Sequence, residues 1–493
     1  MELQFEKKPC AFLGRKIWEV QNLEQTQEVR LPEGMPDIGS VLCCWGQCIM
    51  RGKEWRGDGM SVSGGVMAWV MYAPADGTEP KCLEVWLPVQ GKWSFPDSRR
   101  EGSIRACWLL RGVDGRTLSA RKLMVRANVG ILGEALEPME TEISVPGEVP
   151  DDVQLLRRTY PMQLPKEAGE KTFLMDEMLT MPQNVTPERI ISCRLTPHIT
   201  ERKVLGGKVV FRGEGRFHMV CRGVDGQLFS CDFEVPFSQF SDLDRDYDKE
   251  ATTSVMMAVS SLEPELQEGA LRLKCGLVAQ YVIFDREMIE LVEDAYSPGR
   301  EVDVQKSELQ LPAVLDHRWE TVRSDTAMET QNARIVDAAV YPEHPMLRRA
   351  GDLTEGEMNG TVQMLYYDDS GALKSDAVRW SEIWEQPADE GAAVLARMTE
   401  VSEPIISSGS VGINMDVETL TMAQQGVPMV TALGLGEMVR PDSGRPSLVL
   451  RRAGDDSLWE LAKNTGSTVD AIRKANGLTD EPLDDRLLLI PVS

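Results

Sequence analysis

Val66-Met67-Ala68-Trp69-Val70-Met71-Tyr72 runs into a turn at Ala75-Asp76-Gly77, and this arrangement occurs three times along the chain. The two later copies are Phe217 to Cys221 before Val224-Asp225-Gly226, and Val362 to Tyr367 before Asp369-Ser370-Gly371. The turn residues Gly77, Gly226 and Gly371 are 149 and 145 positions apart, so the repeating unit has the size of a domain. Asp-Gly and Ser-Gly between β-rich runs are typical of hairpin turns, because Gly readily takes the positive φ that such turns require.

Two further strand patterns follow each turn. The next strand candidates are Cys82 to Val89, Phe229 to Phe237 and Ala377 to Trp384. The closing stretches alternate apolar and polar residues, and their apolar sets are Leu123, Val125, Ala127 and Val129; Leu271, Leu273, Cys275 and Leu277; and Val411, Ile413, Met415 and Val417. A period of two indicates half-buried strands. We therefore predict a mainly β protein with three antiparallel β-sandwich or barrel-like domains.

The domain boundaries are placed where this pattern lapses. Proline, glutamate and glycine collect in three candidate linkers, Leu136 to Asp152, Ser297 to Pro312, and Gly436 to Pro446. The predicted β domains span residues 1–140, 153–298 and 313–437, and a small α+β module spans residues 446–493.

Composition limits the classes of function. The chain has 493 residues, and its net charge of −25 disfavours binding to nucleic acid or to anionic lipid. Met1 to Lys16 contains no signal-peptide core, and no apolar run approaches the roughly 18 residues of a membrane helix. Ten irregularly spaced cysteines, with none after Cys275, are typical of reduced thiols. We expect a cytoplasmic protein.

The last 46 residues follow a different pattern, in the order strand, helix, helix, strand (βααβ). Its signals are a strand at Leu448-Val449-Leu450, a capping box of Ser457 with Glu460, a helix stop at Gly466, a second helix that ends at Asn476-Gly477, and a closing strand from Leu487 to Ile490. Trp459, on the first helix, fits a packing role better than a ligand contact.

The residues Gly454 to Ala462, Asn476-Gly477-Leu478 and Leu488 to Pro491 resemble the LysM module. LysM modules bind N-acetylglucosamine polymers in a shallow groove. The resemblance implies a groove lined by Gly454, Asp455, Asp456, Ser457 and Leu458 on one side and by Asn476, Gly477 and Leu478 on the other. Asp484-Asp485-Arg486 departs from the glycine turn that the family usually has, and it adds negative charge beside the groove. For a protein partner, the candidate apolar anchors are Leu458, Leu478 and Leu483.

The repeats resemble the SPOCS domain, on the residues Pro36-Asp37-Ile38, the strand before Asp76-Gly77, Arg121-Lys122-Leu123 and Val235-Pro236-Phe237. SPOCS domains occur in clostridial spore-envelope proteins, often in tandem and followed by one LysM module. The resemblance implies a scaffold of spore-coat assembly at the developing spore surface, made in the mother cell. Its LysM module would dock on the ATPase that forms the basement layer of the coat. The alternative is a peptidoglycan-binding protein of the wall or cortex that holds N-acetylglucosamine polymers.

Residues typical of catalysis or metal binding form no recognisable pattern. The four histidines, His198, His218, His317 and His344, are widely spaced, and none has a second histidine at metal-ligand spacing. Cys43-Cys44 and Cys48 lack Cys-x-x-Cys spacing and fit a core strand. No Gly-x-Ser-x-Gly elbow occurs. We predict a non-enzymatic protein with no cofactor and no metal site. A hydrolase that uses an unlocated pair of carboxylates stays a third possibility.

Overall fold

The computed structural model of the chain describes residues 2–95, 101–182, 186–267, 270–327, 333–387, 389–407, 409–438, 447–454, 456–478 and 486–492. Strands make up most of these ranges, which confirms the prediction of a mainly β protein. Within them no sheet closes into a barrel. The two helices found there lie near the C-terminus, and neither is long and apolar enough to cross a membrane.

The strands fall into three successive groups, which we call the first, second and third units. The chain begins with a short strand, β1 (Glu2–Gln4). The first unit follows and comprises β2 (Glu6–Arg30), β3 (Ile38–Arg56), β4 (Gly59–Pro74), β5 (Lys81–Ser94), β6 (Ser103–Ser119) and β7 (Lys122–Val145). The second unit is β8 (Gln154–Thr180), β9 (Pro187–Leu205), β10 (Lys208–Gly223), β11 (Leu228–Asp242), β12 (Thr252–Gln267) and β13 (Ala270–Tyr296).

The third unit contains eight strands because two of its edge strands are divided. It comprises β14 (Val302–Ala327), β15 (Arg334–Pro342), β16 (Met346–Ala350), β17 (Leu353–Tyr367), β18 (Leu373–Pro387), β19 (Ala393–Val401), β20 (Ile405–Ser407) and β21 (Ser410–Leu435). The C-terminal segment is β22 (Leu448–Arg452), α1 (Leu458–Thr465), α2 (Val469–Asn476) and β23 (Leu487–Pro491).

The same antiparallel topology occurs in each unit. In the first unit β4 lies between β3 and β5, and β7 lies between β2 and β6. The second unit repeats this with β10 between β9 and β11 and with β13 between β8 and β12. In the third unit β17 pairs with β15, β16 and β18, while β21 pairs with β14, β19 and β20. The N-terminal β1 also pairs with β21, so the start of the chain completes the sheet of the third unit.

The alternating residues predicted for the closing strands lie at the centre of the cores. Leu123 on β7, Leu273 on β13 and Ile413 on β21 are no more than 1% exposed, and so are the other members of their sets. In each unit these side chains pack against the opposite sheet, where the contacts include Val66 in the first unit and Phe217 in the second. The period-two pattern therefore identified the buried faces correctly.

The three repeated turns have one backbone conformation. Gly77, Gly226 and Gly371 have φ values of +73°, +78° and +76°. A side chain is strained in this left-handed region, which explains why glycine occupies all three positions. The predicted hairpin turns are confirmed.

The predicted linkers agree less well with the strands. β7 continues to Val145 and β14 begins at Val302, so both enter stretches that we interpreted as linkers. Most of the third candidate, Gly436 to Pro446, lies outside the described residues. The domain boundaries stay a prediction.

Replacing Leu273 by alanine tests the assignment of the core. Leu273 is 1% exposed. We expect Leu273→Ala to lower the free energy of unfolding by about 2–5 kcal/mol, because the substitution loses apolar burial and leaves a cavity. Leu205, at 58% exposed, provides the matched control, and Leu205→Ala is expected to change stability by no more than about 0.5 kcal/mol. Urea unfolding measures both, and equal losses would contradict the assignment.

Candidate functional site

Side-chain caps define the two helices of the C-terminal segment. Glu460 closes a capping box with Ser457, whose Oγ accepts a hydrogen bond from the Glu460 N–H at 3.3 Å and whose N–H donates to Glu460 Oε2 at 2.9 Å. Thr468 caps α2 by accepting from the Ala471 N–H at 3.1 Å. Gly466 and Gly477 end the helices with φ of +68° and +61°. The sequence signals for these helix ends are therefore correct.

Several of the predicted groove residues have structural roles. Leu458 is 1% exposed and packs in the core of the segment, so its side chain is not available as a surface anchor. Asn476 fastens α2 to β23, because its Nδ2 donates to the Leu489 carbonyl at 2.6 Å and its Oδ1 accepts from the Leu489 N–H at 2.8 Å. Leu478 packs at the margin of the same core.

The remaining groove residues lie in the connections. Gly454 is exposed in a turn with φ of +58°, and Asp456 pairs with Arg451 at 2.9 Å. Asp455 and Leu483 lie outside the described residues, as do Asp484 and Asp485. Ligand binding by this surface stays a prediction.

The C-terminal segment docks on the second unit through Trp459. The Trp459 Nε1–H donates to Asp294 Oδ2 at 2.9 Å, and its ring meets Tyr296 edge-on with centroids 4.7 Å apart. Lys463 and Lys306 also contact Asp294, at 2.6 Å and 3.2 Å. Asp294 and Tyr296 end β13, whereas Lys306 belongs to β14. Trp459 thus packs, as predicted, but its partner is the body of the protein.

Asp294 is the charged centre of this contact. Burial opposes its ionisation, but hydrogen bonds from Lys463, Trp459 and Lys306 outweigh burial and lower the pKa of the carboxyl below its usual value. The carboxylate is therefore ionised at neutral pH, and it holds the segment by charge as well as by hydrogen bonding.

Strands β22 and β23 present apolar side chains to solvent. Leu448, Leu450 and Leu487 are 47%, 59% and 61% exposed. Their side of the two-stranded ribbon also carries Leu489 and Pro491, which pair across from Leu450 and Leu448. The other side, with Leu488 and Ile490, packs in the core. We call the outward side the ribbon face. It also carries the exposed Arg452 across from Leu487, and exposed apolar side chains grouped in this way make it a candidate interaction site.

A buried ionic network joins the three units. Asp337 on β15 has a side chain that is 1% exposed, and it accepts hydrogen bonds from three residues of the other units. These are Trp45 Nε1 at 2.5 Å, Arg194 Nη1 at 3.0 Å and His218 Nε2 at 2.5 Å. Trp45 belongs to the first unit, and Arg194 and His218 belong to the second. The Asp337 carboxylate therefore links all three units by hydrogen bonds.

The network fixes the charge of its members. Burial would raise the pKa of Asp337, but Arg194 and His218 lower it far below the usual range. Burial would lower the pKa of His218, but the hydrogen bonds to Asp232 and Asp337 raise it to about 9. His218 is thus a protonated cation at neutral pH.

A cavity of about 200 Å³ lies where the units meet. Its lining includes Gln47 and Trp108 from the first unit, Arg194 from the second, and Tyr341 and Glu403 from the third. Arg194 is already paired with Asp337, and Gln47 Oε1 accepts from the Leu195 N–H at 2.8 Å. The side chains of Arg194 and Gln47 are therefore bonded within the protein.

The sequence analysis missed this junction because its members are far apart in the chain. Trp45 and Asp337 are separated by 292 positions. The one local signal was Asp337 itself, a charged residue within the apolar run Ile335 to Tyr341. A buried charge is stable only when it is paired. The sequence therefore predicts that such a residue has a partner, but it does not identify the partner.

Three of the segments that resemble SPOCS come together in the first unit. Arg121 Nη1 donates to Asp37 Oδ1 and to the Met35 carbonyl, both at 2.9 Å. The Tyr72 hydroxyl donates to the Pro36 carbonyl at 3.0 Å. These contacts hold the entry to β3 against the turn before β7, so the motif residues have a structural reason to occur together.

Comparison with known families assigns one stretch of the chain. The family model described as "SipL, SPOCS domain" matches residues 187–266, which cover strands β9 to β12 of the second unit. The chain thus contains a SPOCS-like segment, which supports a sporulation-related protein similar to SipL. No curated protein and no solved structure matches the chain.

The contact at Trp459 can be broken by one substitution. We expect Asp294→Asn to loosen the C-terminal segment, because the change removes the charge shared by Lys463 and Lys306. Limited proteolysis and hydrogen exchange of residues 447–478 measure this loosening. Asp470→Asn, an exposed change on α2, is the control. Equal protection of both variants would contradict a docking role for Asp294.

The charge of His218 predicts how stability depends on pH. Because its pKa is raised to about 9 in the folded protein and is about 6.5 when unfolded, the stabilisation is complete below about pH 6.5 and is lost as pH rises toward 9. The loss is about 3 kcal/mol from these two values. Urea unfolding between pH 6 and 10 measures it, and His218→Gln is expected to flatten the profile. If the wild type and His218→Gln lost the same stability as pH rises, the proposed contribution of protonated His218 to stability would be refuted.

Proposed function

We propose that the chain is a non-enzymatic scaffold of the spore envelope. In this proposal it is made in the mother-cell cytoplasm and acts at the developing spore surface. The observation that carries the proposal is the SPOCS match at residues 187–266, since these residues form part of a unit whose topology occurs three times.

We infer that all three units are SPOCS-like β-sandwich domains in tandem. In each unit the three-stranded meander packs its inner face against the closing strand of the other sheet, and the two sheets share one core. The family match covers the meander and the next strand of the second unit. Strands β3 to β6 and β15 to β19 have the same order in the other units, which supports extending the assignment to them.

We further infer that the C-terminal segment is a LysM-like module. Its order of strand, helix, helix and strand, the capping box at Ser457 and the glycine helix ends agree with the resemblance. In a scaffold, such a module would provide the attachment to the coat-basement ATPase.

The ribbon face favours a protein partner over a glycan. Sugar recognition needs free polar groups, but Ser457 and Asn476 are occupied by helix capping and by the bonds to β23. The exposed side chains are leucines, and apolar anchors ringed by polar residues are typical of protein interfaces. Leu448, Leu450 and Leu487 therefore replace Leu458 as candidate anchors. Leu478, which packs at the margin of the core, remains a candidate.

The pairing of the junction residues supports a non-enzymatic role. Arg194, His218 and Asp337 would be the first candidates for acid–base chemistry, but Arg194 and His218 are both bonded to Asp337 inside the junction. Their perturbed pKa values follow from this structural pairing, which is a common cause of such shifts.

Full-length protein with Leu450→Asp tests the proposed docking. We expect capture of the coat-basement ATPase from sporulating-cell lysate to fall about tenfold or more, because a charge replaces an apolar anchor. Leu205→Asp, an equally exposed leucine on the second unit, is the matched control. Binding of N-acetylglucosamine oligomers is titrated in parallel. Glycan binding without capture of the ATPase would overturn the proposal in favour of the peptidoglycan-binding alternative.

A further inference from the structure

One histidine and two carboxylates meet at the contact between the second and third units. His198 lies on β9, Glu400 on β19 and Asp416 on β21, and a potential ligand atom from each lies within 4.8 Å of the others. His198 comes from one unit and both carboxylates from the next, so the group bridges the two units.

Sheet register forces the two carboxylates together. Glu400 and Asp416 are direct partners across β19 and β21, immediately after a β-bulge that follows Met398. Like charges directly opposite one another destabilise a sheet. Glu400 is only 8% exposed, so water screens this repulsion weakly. The Arg216 guanidinium offsets part of this repulsion at Glu400, and a cation between the two carboxylates would offset more of it.

Each carboxylate is held on one oxygen by a residue from outside the group. Arg216 Nη1 donates to Glu400 Oε1 at 2.5 Å, whereas Glu400 Oε2 contacts His198 Nδ1. The Thr321 hydroxyl donates to Asp416 Oδ1 at 2.6 Å. Carboxylates that bind metals are commonly oriented in this way, with one oxygen fixed by a neighbour and the other directed at the ion.

A cavity of about 140 Å³ borders the three side chains and gives an ion a route to them. Two arginines also line it, but both are engaged elsewhere. Arg397 pairs with Glu418 at 2.5 Å, and the Arg202 guanidinium lies over the Trp319 ring at 4.5 Å. Among the described ion pairs, neither Arg397 nor Arg202 is bonded to Glu400 or Asp416.

We propose that His198, Glu400 and Asp416 bind a zinc ion that fastens the second unit to the third. Zinc accepts imidazole nitrogen and carboxylate oxygen at about 2.0–2.2 Å, and three protein ligands leave a fourth position for water. The ion would join the two units, because His198 comes from the second unit and both carboxylates come from the third. It does not depend on the proposed function, and it differs from the prediction made from the sequence that the four histidines ligate no metal.

The test uses full-length protein that has been stripped with chelator and returned to buffer. Calorimetric titration with zinc is expected to give one site per chain, and zinc is expected to raise the thermal midpoint. His198→Ala and Asp416→Asn are each expected to weaken zinc binding at least about tenfold, because each loses a ligand. Glu403→Gln, a carboxylate of the neighbouring cavity outside the group, is expected to bind zinc as the wild type does.

Folding is checked by far-ultraviolet circular dichroism before titration. Should His198→Ala not fold, Asp416→Asn and Thr321→Val provide the test, because Thr321 only orients Asp416 and its loss is expected to weaken zinc binding severalfold. Absence of zinc binding by the wild type would overturn the proposal. Unchanged affinity in a folded Asp416→Asn variant would overturn it as well, because the zinc would then sit elsewhere.

Discussion

The burial of one carboxylate, Asp337, makes the three units depend on each other. A buried charge that loses its partners costs several kcal/mol, and the partners of Asp337 come from both other units. The third unit therefore cannot separate from the first and second without exposing or stranding this charge. Trp45 and His218 reach Asp337 only in one relative arrangement of the units, so the network fixes their orientation as well as their association.

The units share a topology but differ in chemistry where they meet. The closing strands β7, β13 and β21 each pair with a neighbour through a β-bulge. Four residues before the bulge, the three strands carry Leu132, Gln280 and Glu418 at corresponding places. Leu132 packs with apolar neighbours, the Gln280 amide bonds both backbone groups of Ala106, and Glu418 pairs with Arg397. An apolar contact, a neutral amide and an ion pair cannot replace one another in a buried site. The three repeats are therefore not interchangeable, although each keeps the same sheets.

The sequence was informative where structure depends on near neighbours. The alternation around Leu273 identified a buried face, Gly226 marked a hairpin, and Ser457 marked a helix start, because each signal acts within a few residues. Leu458 was misjudged because position beside a groove does not distinguish an exposed side chain from a core one. The partners of His198 and Asp337 were beyond prediction, since they lie more than 100 positions away and are brought close only by the packing of units.

The contact between Trp459 and Asp294 changes what the C-terminal segment can do. A module on a free tail loses rotational and translational freedom each time it binds, and that loss weakens its affinity. The indole of Trp459 and the ammonium of Lys463 already hold the segment against Asp294 on β13, so the ribbon face is presented in a fixed direction. Lys306 on β14 contacts the same carboxylate, so this anchor lies where the second unit meets the third, the two units that also meet around His198. A ligand on the ribbon face therefore binds a surface whose orientation is set by the second unit.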